Sequence, residues 1–228
     1  MIKVLSALPR RSDLTREQFQ EHWGTIHRDL ALRIDRISRY VQSHPRSADL
    51  PGLTPAPFDG FPEVWFPDLD TALGLGADPQ YAQGAHLDEP RFIDRDAMVR
   101  TLVTPHLVRG WDGFATRTGA GKILLLADAP ATDEARDVLA TVALEALDPR
   151  RLLVGAAVDD ARVRHLQGHG QVLELWWDDA DAAVAAWAAG VESLLARADD
   201  VLDPAGSCVA LVQERRVRWP GTVEDPDA

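Results

Sequence analysis

The stretch Glu63-Val64-Trp65-Phe66 leads into a turn, an Asp and an Ala-containing run of helical character. The same order returns at Glu174-Leu175-Trp176-Trp177, 174 − 63 = 111 residues further on. In a chain of 228 residues, that spacing leaves room for two copies of one unit and little else. A repeated unit restricts a fold more than composition does, because each copy has an apolar face to bury against something.

The elements around the echo repeat as well. "IKVLSAL" reads as a strand. Thr15 and Gln18 then form a capping box, flanked by Leu14 and Phe19 as an apolar staple. Phe19, Trp23, Ile26, Leu30 and Ile34 recur at three- and four-residue steps, which predicts one face of a helix. "ISRYVQSH" is a strand ended by Pro45, and residues 45–62 are a Pro- and Gly-rich loop. "EVWF" is a third strand, "LDTALGLGADPQYAQGA" a Gly-interrupted helix and "VRTLVTPHLVRG" the closing strand.

The second half runs through "GKILLLADA", a helix capped by Thr132 or Asp133, "RRLLVGAAV", "QVLELWW", a helix from "DADAAV" and the strand "GSCVALVQERRV". Each half therefore reads β-α-β-β-α-β, the split βαβ order of a ferredoxin-like plait. The predicted fold class is α+β, with ferredoxin-like repeats over residues 1–115 and 116–228. A plait carries helices on one face only. At about 25 cal/mol per Å² of apolar area, sealing two bare faces is worth on the order of ten kcal/mol or more. The repeats are thus expected to pack sheet to sheet as an intramolecular α/β barrel.

Composition narrows the function. The chain is 46% hydrophobic with formal charge −12, and Lys and Arg form no stripe that would neutralise phosphates, which argues against nucleic acid. No apolar run reaches the roughly 18 residues of a membrane span, and the N-terminus lacks the pattern of a signal peptide, so a cytoplasmic protein is expected. The single cysteine, Cys208, lies in the apolar run "SCVALV" and is expected to be an inert buried thiol.

Three motifs carry a resemblance. "MIKVLSALPRRSDLTREQFQEHWGTIHRDLA" holds Trp23 with His27 four residues on, "RYVQSH" spans Arg39 to His44, and "DEPRFID" spans Asp88 to Asp94. Together they make roughly residues 1 to 108 similar to the EthD family of the dimeric α/β-barrel superfamily. The second half keeps the element order and the Glu-aliphatic-Trp strand but lacks the other motifs. The resemblance implies the barrel fold, and one pocket of the family's type where a homodimer would have two. Among such proteins it implies dehydratases and decarboxylases on aromatic polyketide intermediates; wider relatives are cofactor-free monooxygenases, cyclases and haem enzymes.

The residues themselves offer a short set of candidates. His27 lies on the flank of the helix stripe beside Trp23 and titrates near neutrality, as a general acid or base should. Tyr40, Gln42 and His44 alternate on one strand face, which is assigned to the barrel lumen because helix-facing positions want aliphatics. Glu63 and Trp65 share a face, as do Glu174 and Trp176. The echo of these positions in both halves favours an architectural role, although a buried carboxylate can also exchange protons. His86, Asp88 and Asp94 are expected to cluster in a loop after the second helix. "HLQGH", His165 to His169, reads as a hairpin loop, and no metal site is expected.

The expectation is therefore an enzyme without a cofactor, binding a small hydrophobic or aromatic substrate. His27 would move protons, His44 and Tyr40 would orient the substrate, and Trp23, Gln42, Glu63, Trp65, His86, Asp88 and Trp176 would contact it. A cofactor-free or haem-dependent oxygenase and a non-catalytic binding protein are the alternatives. The fused pseudo-dimer is free to pair again as a homodimer.

Overall fold

The computed structural model describes residues 1–110, 119–166 and 168–219, so the expected repeat boundary at 115/116 lies outside the described residues. The chain divides into two compact units. The first holds residues 1–44 and 57–102 together with the end of the last strand from Glu214; the second holds residues 45–56 and 103–213.

The first unit begins with β1 (Ile2–Ala7) and α1 (Arg16–His22). Thr15 caps α1 by accepting from the Gln18 N–H, and Gln18 Oε1 accepts from the Thr15 N–H at 2.8 Å, the reciprocal capping box read in the sequence. The helix then opens into a π-turn, Trp23–His27, and resumes as α2 (Arg28–Ala31). In that turn the Arg28 N–H donates to the Trp23 carbonyl five residues back. Such a turn holds one residue more than an α-turn, and this explains a departure from expectation. Phe19 and Trp23 are wholly buried and Ile34 nearly so, but Ile26, assigned to the same stripe, is 52% exposed. The extra residue rotates Ile26 outward and carries His27 inward.

β2 (Arg39–Pro45) and β4 (Phe61–Phe66) follow, pairing antiparallel with Tyr40 opposite Val64 and Val41 opposite Glu63. The expected second helix is broken by its glycines. It consists of α3 (Leu69–Leu73), a 3-10 turn Gly74–Ala77, a second π-turn Tyr81–Ala85, and the single turn α4 (His86–Asp88), followed by a 3-10 turn Glu89–Arg91. With the first residues of β5 (Val99–Arg109), the strand order is β2-β4-β1-β5.

The last strand also serves this unit. Arg218 donates from Nη1 to the carbonyls of Ile34 (2.7 Å) and Ile37 (2.8 Å), and from Nη2 to that of Leu32. These carbonyls belong to the turn that follows α2, where that of Ile34 also accepts from the Ile37 N–H.

In the second unit, β6 (Gly121–Asp128), α5 (Asp133–Leu147), β7 (Arg151–Ala157), β8 (Gln171–Trp177), α6 (Ala180–Arg197) and β9 (Asp203–Arg218) follow in the predicted order. The helix cap is Thr132, which accepts from the Ala135 N–H. The strand order β7-β8-β6-β9 matches β2-β4-β1-β5 position for position, so both halves are the same plait. β3 (Thr54–Pro55), a two-residue strand inside the expected loop, adds to this unit by pairing parallel with β9. Leu139, Ala143, Trp187 and Leu194 of the helices pack on Ile123, Leu125, Leu173 and Leu175 in the larger apolar core. Cys208 is buried, and its burial pushes the thiol up to about 11, the inert state expected of it. No helix among the described residues is long and apolar enough to cross a membrane.

Candidate functional site

The π-turn shapes the most chemically capable cluster in the first unit. His22 closes α1 and His27 closes the turn, five residues apart, a spacing that an α-helix would put on diverging sides. Here both imidazoles reach one carboxylate. His22 Nε2 lies 3.0 Å from Asp88 Oδ1 and 3.0 Å from Oδ2, and His27 Nδ1 lies 3.1 Å from Oδ2. An ionised carboxylate only accepts, so the arrangement selects opposite tautomers, Nε2–H on His22 and Nδ1–H on His27. Phe92 lies against both rings, its centroid 4.8 Å from each. Asp88 is 3% exposed, while His27 keeps 12% and His22 21% of its side chain open. Burial alone would raise the Asp88 carboxyl, but the hydrogen bonds and charge of His27 and His22 outweigh it and hold the group below its ordinary value. His27 Nε2 is left free of this bonding, on the accessible side of a buried Asp–His couple.

Asp88 was expected beside His86, and the structure separates them. His86 is stacked on Tyr81 at 5.3 Å and faces Glu89 Oε2 at 3.8 Å and Arg95. An open cleft of about 590 Å³ adjoins this segment, lined by Arg11, Asp13, Pro90, Ile93, Asp94 and Arg95; neither His27 nor Asp88 lines it.

Tyr40, Gln42 and His44 share a strand face as expected, but it is the face toward the helices and not the opposite one. Tyr40 packs among Ala31, Ile34, Ile37 and Phe66. Gln42 Nε2 donates to the Trp23 carbonyl (2.8 Å) and to the Tyr40 hydroxyl (2.9 Å). His44 bonds Gln20 through Nδ1 and lies against the Trp23 ring at 4.6 Å. The aliphatic rule fails because the helix layer has its own polar demands, above all the Trp23 carbonyl, which takes a second donor from this strand beside the Arg28 N–H of the π-turn. Burial raises the Tyr40 phenol to about 12 and, with Arg215 nearby, lowers His44 to about 4. Both groups are neutral at pH 7. Trp23 is wholly buried, and its ring occupies the space where a Cβ on Gly60 would sit, 2.7 Å away. It fills core and does not wall a pocket.

His44 has a thermodynamic consequence. Its pKa is about 4 folded and 6.5 unfolded, so the unfolded chain binds the extra proton between those values. Stability is full above pH 6.5 and falls as pH drops toward 4, by about 2 kcal/mol once partial exposure is allowed for. Urea midpoints measured across that window should show this slope and become shallower in His44→Leu; His169, also lowered by burial, supplies the part that remains, and Asp88 acts only at lower pH.

The sheet face turned away from the helices carries a different set. Lys3 Nζ lies 2.6 Å from Glu63 Oε2, and Ser43 Oγ donates to Glu63 Oε1 at 2.5 Å. Lys3 also sits over the Trp65 ring at 4.7 Å. The second unit repeats the arrangement by itself: Lys122 Nζ lies 2.8 Å from Glu174 and 4.7 Å from the Trp176 ring, with Arg151 4.1 Å from the same ring. The Glu-aliphatic-Trp echo is thus two parts of a Lys–Glu–Trp set, which accounts for its presence in both halves. A lysine second in the first strand of each half was the readable signal for it. His22 had none, since its partner spacing exists only in a π-turn.

On β1, β2 and β4 of the first unit this face presents Lys3, Leu5, Arg39, Val41, Ser43, Glu63 and Trp65, none of which is a usual axial ligand of haem iron. Among the described residues no group of three His, Cys, Asp or Glu side chains is arranged to hold a metal ion.

Three comparisons bear on the family. Residues 11–96 match the EthD domain family model. That segment contains His22, His27, Asp88 and Phe92, so the whole cluster lies inside the matched segment. No curated protein matches the chain. Among solved structures, an anthrone oxidase-like protein superposes with a TM-score of 0.67 at 12% identity, covering 97% of this chain and 95% of its own. A monooxygenase candidate from Lactobacillus acidophilus NCFM gives 0.52 at 8%, covering 95% and 94%. A mutant chlorite dismutase from Candidatus Nitrospira defluvii gives 0.51 at 11%, covering 92% and 90%. At these identities the likeness shows the fold, which is α+β and of the dimeric α/β-barrel class.

Proposed function

We propose that this protein is a cofactor-independent proton-transfer enzyme acting on an aromatic, polyketide-like ketone, with His27 Nε2 as the base. The observation that carries the reading is the Asp88 carboxylate buried against His27 Nδ1, which fixes the tautomer and steadies the imidazolium once a proton arrives. Ile26 (52% exposed) and Leu87 (62% exposed), adjoining His27 and Asp88 in sequence, supply exposed apolar surface, while the wholly buried Phe92 backs the His27 ring from within. His27 takes a proton from carbon beside the ketone and gives it back to the leaving oxygen or to the product carbon. Elimination and cyclisation pass through that enolate; in decarboxylation the enolate forms instead as the carbon–carbon bond breaks and CO2 leaves, and protonated His27 delivers the proton to carbon. Tyr40, Gln42 and His44 act one layer behind, holding the Trp23 segment that positions His27.

A second reading is supported by what the structural neighbours are called, an anthrone oxidase-like protein and a monooxygenase candidate. Removing a proton from an anthrone-type ketone also prepares it for attack on molecular oxygen, so the same base serves a cofactor-free oxygenase. The test is solvent deuterium uptake at the α-carbon of anthrone-type ketones under argon. Exchange with stoichiometric elimination or decarboxylation supports the main reading, and product formed only with oxygen consumption supports the second. Tight binding without exchange or product would make the protein a carrier and end both.

A further inference from the structure

The cluster has one member that the proton-transfer role of His27 does not require. Asp88 would orient His27 with a single oxygen, yet His22 Nε2 stands 3.0 Å from each oxygen of that carboxylate. We propose that His22 is a positioning residue that tempers the basicity of His27 by taking part of the Asp88 charge. This rests on the reading of His27 as the base.

The physical argument is competition for one acceptor. A carboxylate with one imidazole partner favours the imidazolium strongly, because the opposite charge lies at hydrogen-bond distance. A second N–H on the same carboxylate spreads that charge, and a proton on either ring repels a proton on the other. Both rings pack against Phe92 while facing the shared acceptor. The other charged groups facing the cluster are few. Arg91 Nη1 is 4.0 Å from Asp88 Oδ1 and 72% exposed, and Glu89 is engaged by Tyr81 at 2.6 Å and Arg95 at 3.4 Å. Arg28, beside His27 in sequence, pairs with Asp29 at 2.7 Å. None of these stands between His22 and Asp88. The consequence for a base is useful: an imidazole too tightly paired would stay protonated at neutral pH and be unable to accept.

The measurement is an NMR pH titration of the imidazole signals, assigned by their loss in single His variants, and it needs no substrate. In His22→Phe, which keeps the ring against Phe92 but removes the N–H, the His27 midpoint should rise by about one pH unit. His22→Gln, which restores a neutral donor, should bring it back toward the native value. A His27 midpoint that stays or falls in folded His22→Phe sinks the idea. Failure of the enzymatic reading shows separately, as absent deuterium exchange with the titration intact.

Discussion

His27→Ala is expected to lower turnover by about 10²- to 10⁴-fold, the usual contribution of a positioned acid–base group, while the melting temperature moves by only a few degrees. The two halves of that expectation have separate grounds. The rate falls because the variant removes the Nε2 that the reading assigns to the base; His22 meets the same carboxylate through Nε2 and would present its other nitrogen from a different position, and His44 is turned to Gln20 and Trp23 and held neutral by burial. The fold survives because Asp88 is not stranded: His22 still meets both of its oxygens. What is lost is one hydrogen bond and part of a ring contact, about 1 kcal/mol, or roughly 2–4 °C for a chain of this size. A fall of ten degrees or more, with activity per folded molecule unchanged, would make His27 a structural residue.

The second large effect lies in the other unit. Glu174→Leu should destabilise the protein by about 3–5 kcal/mol, because Lys122, with no exposed surface, loses the carboxylate that offsets its burial. The double variant Lys122→Met/Glu174→Leu should recover most of that loss, since apolar groups of similar volume need no ion partner. Denaturation of the two single variants and the double gives the answer as a cycle. Recovery to within about 1 kcal/mol, with turnover unaltered, marks the repeated Lys–Glu–Trp set as architecture. A double variant as unstable as the sum of the singles would point to Arg151 and Trp176 needing the charges for their own placement.

The unequal legibility of fold and site follows from what each depends on. Strand order could be read because alternation and turn residues are local, and the Glu63/Glu174 echo tied the two halves together. Thr15, Gln18 and Thr132 announced their caps for the same reason. His27 and Asp88 were singled out, but their union was not, because it runs through a turn with five-residue closure whose sequence, Trp-Gly-Thr-Ile-His, reads as ordinary helix. The same insertion put Ile26 on the surface. The facing of Tyr40, Gln42 and His44 was misjudged because a rule about average side chains was applied to a strand whose polar groups answer particular acceptors, the Trp23 carbonyl and Gln20.

Arg218 stands 184 positions beyond Ile34, yet it clasps the carbonyls where the helix bearing both imidazoles runs out, and Arg215 Nη1 approaches the Gly24 carbonyl at 3.5 Å inside the π-turn itself. A fragment trimmed to the stretch that carries the family's signature would keep every proton-handling side chain and forfeit the tether that steadies them. Searching for a minimal working piece by motif boundaries alone would therefore discard the chain's far end, the very ribbon on which the loosened turn leans.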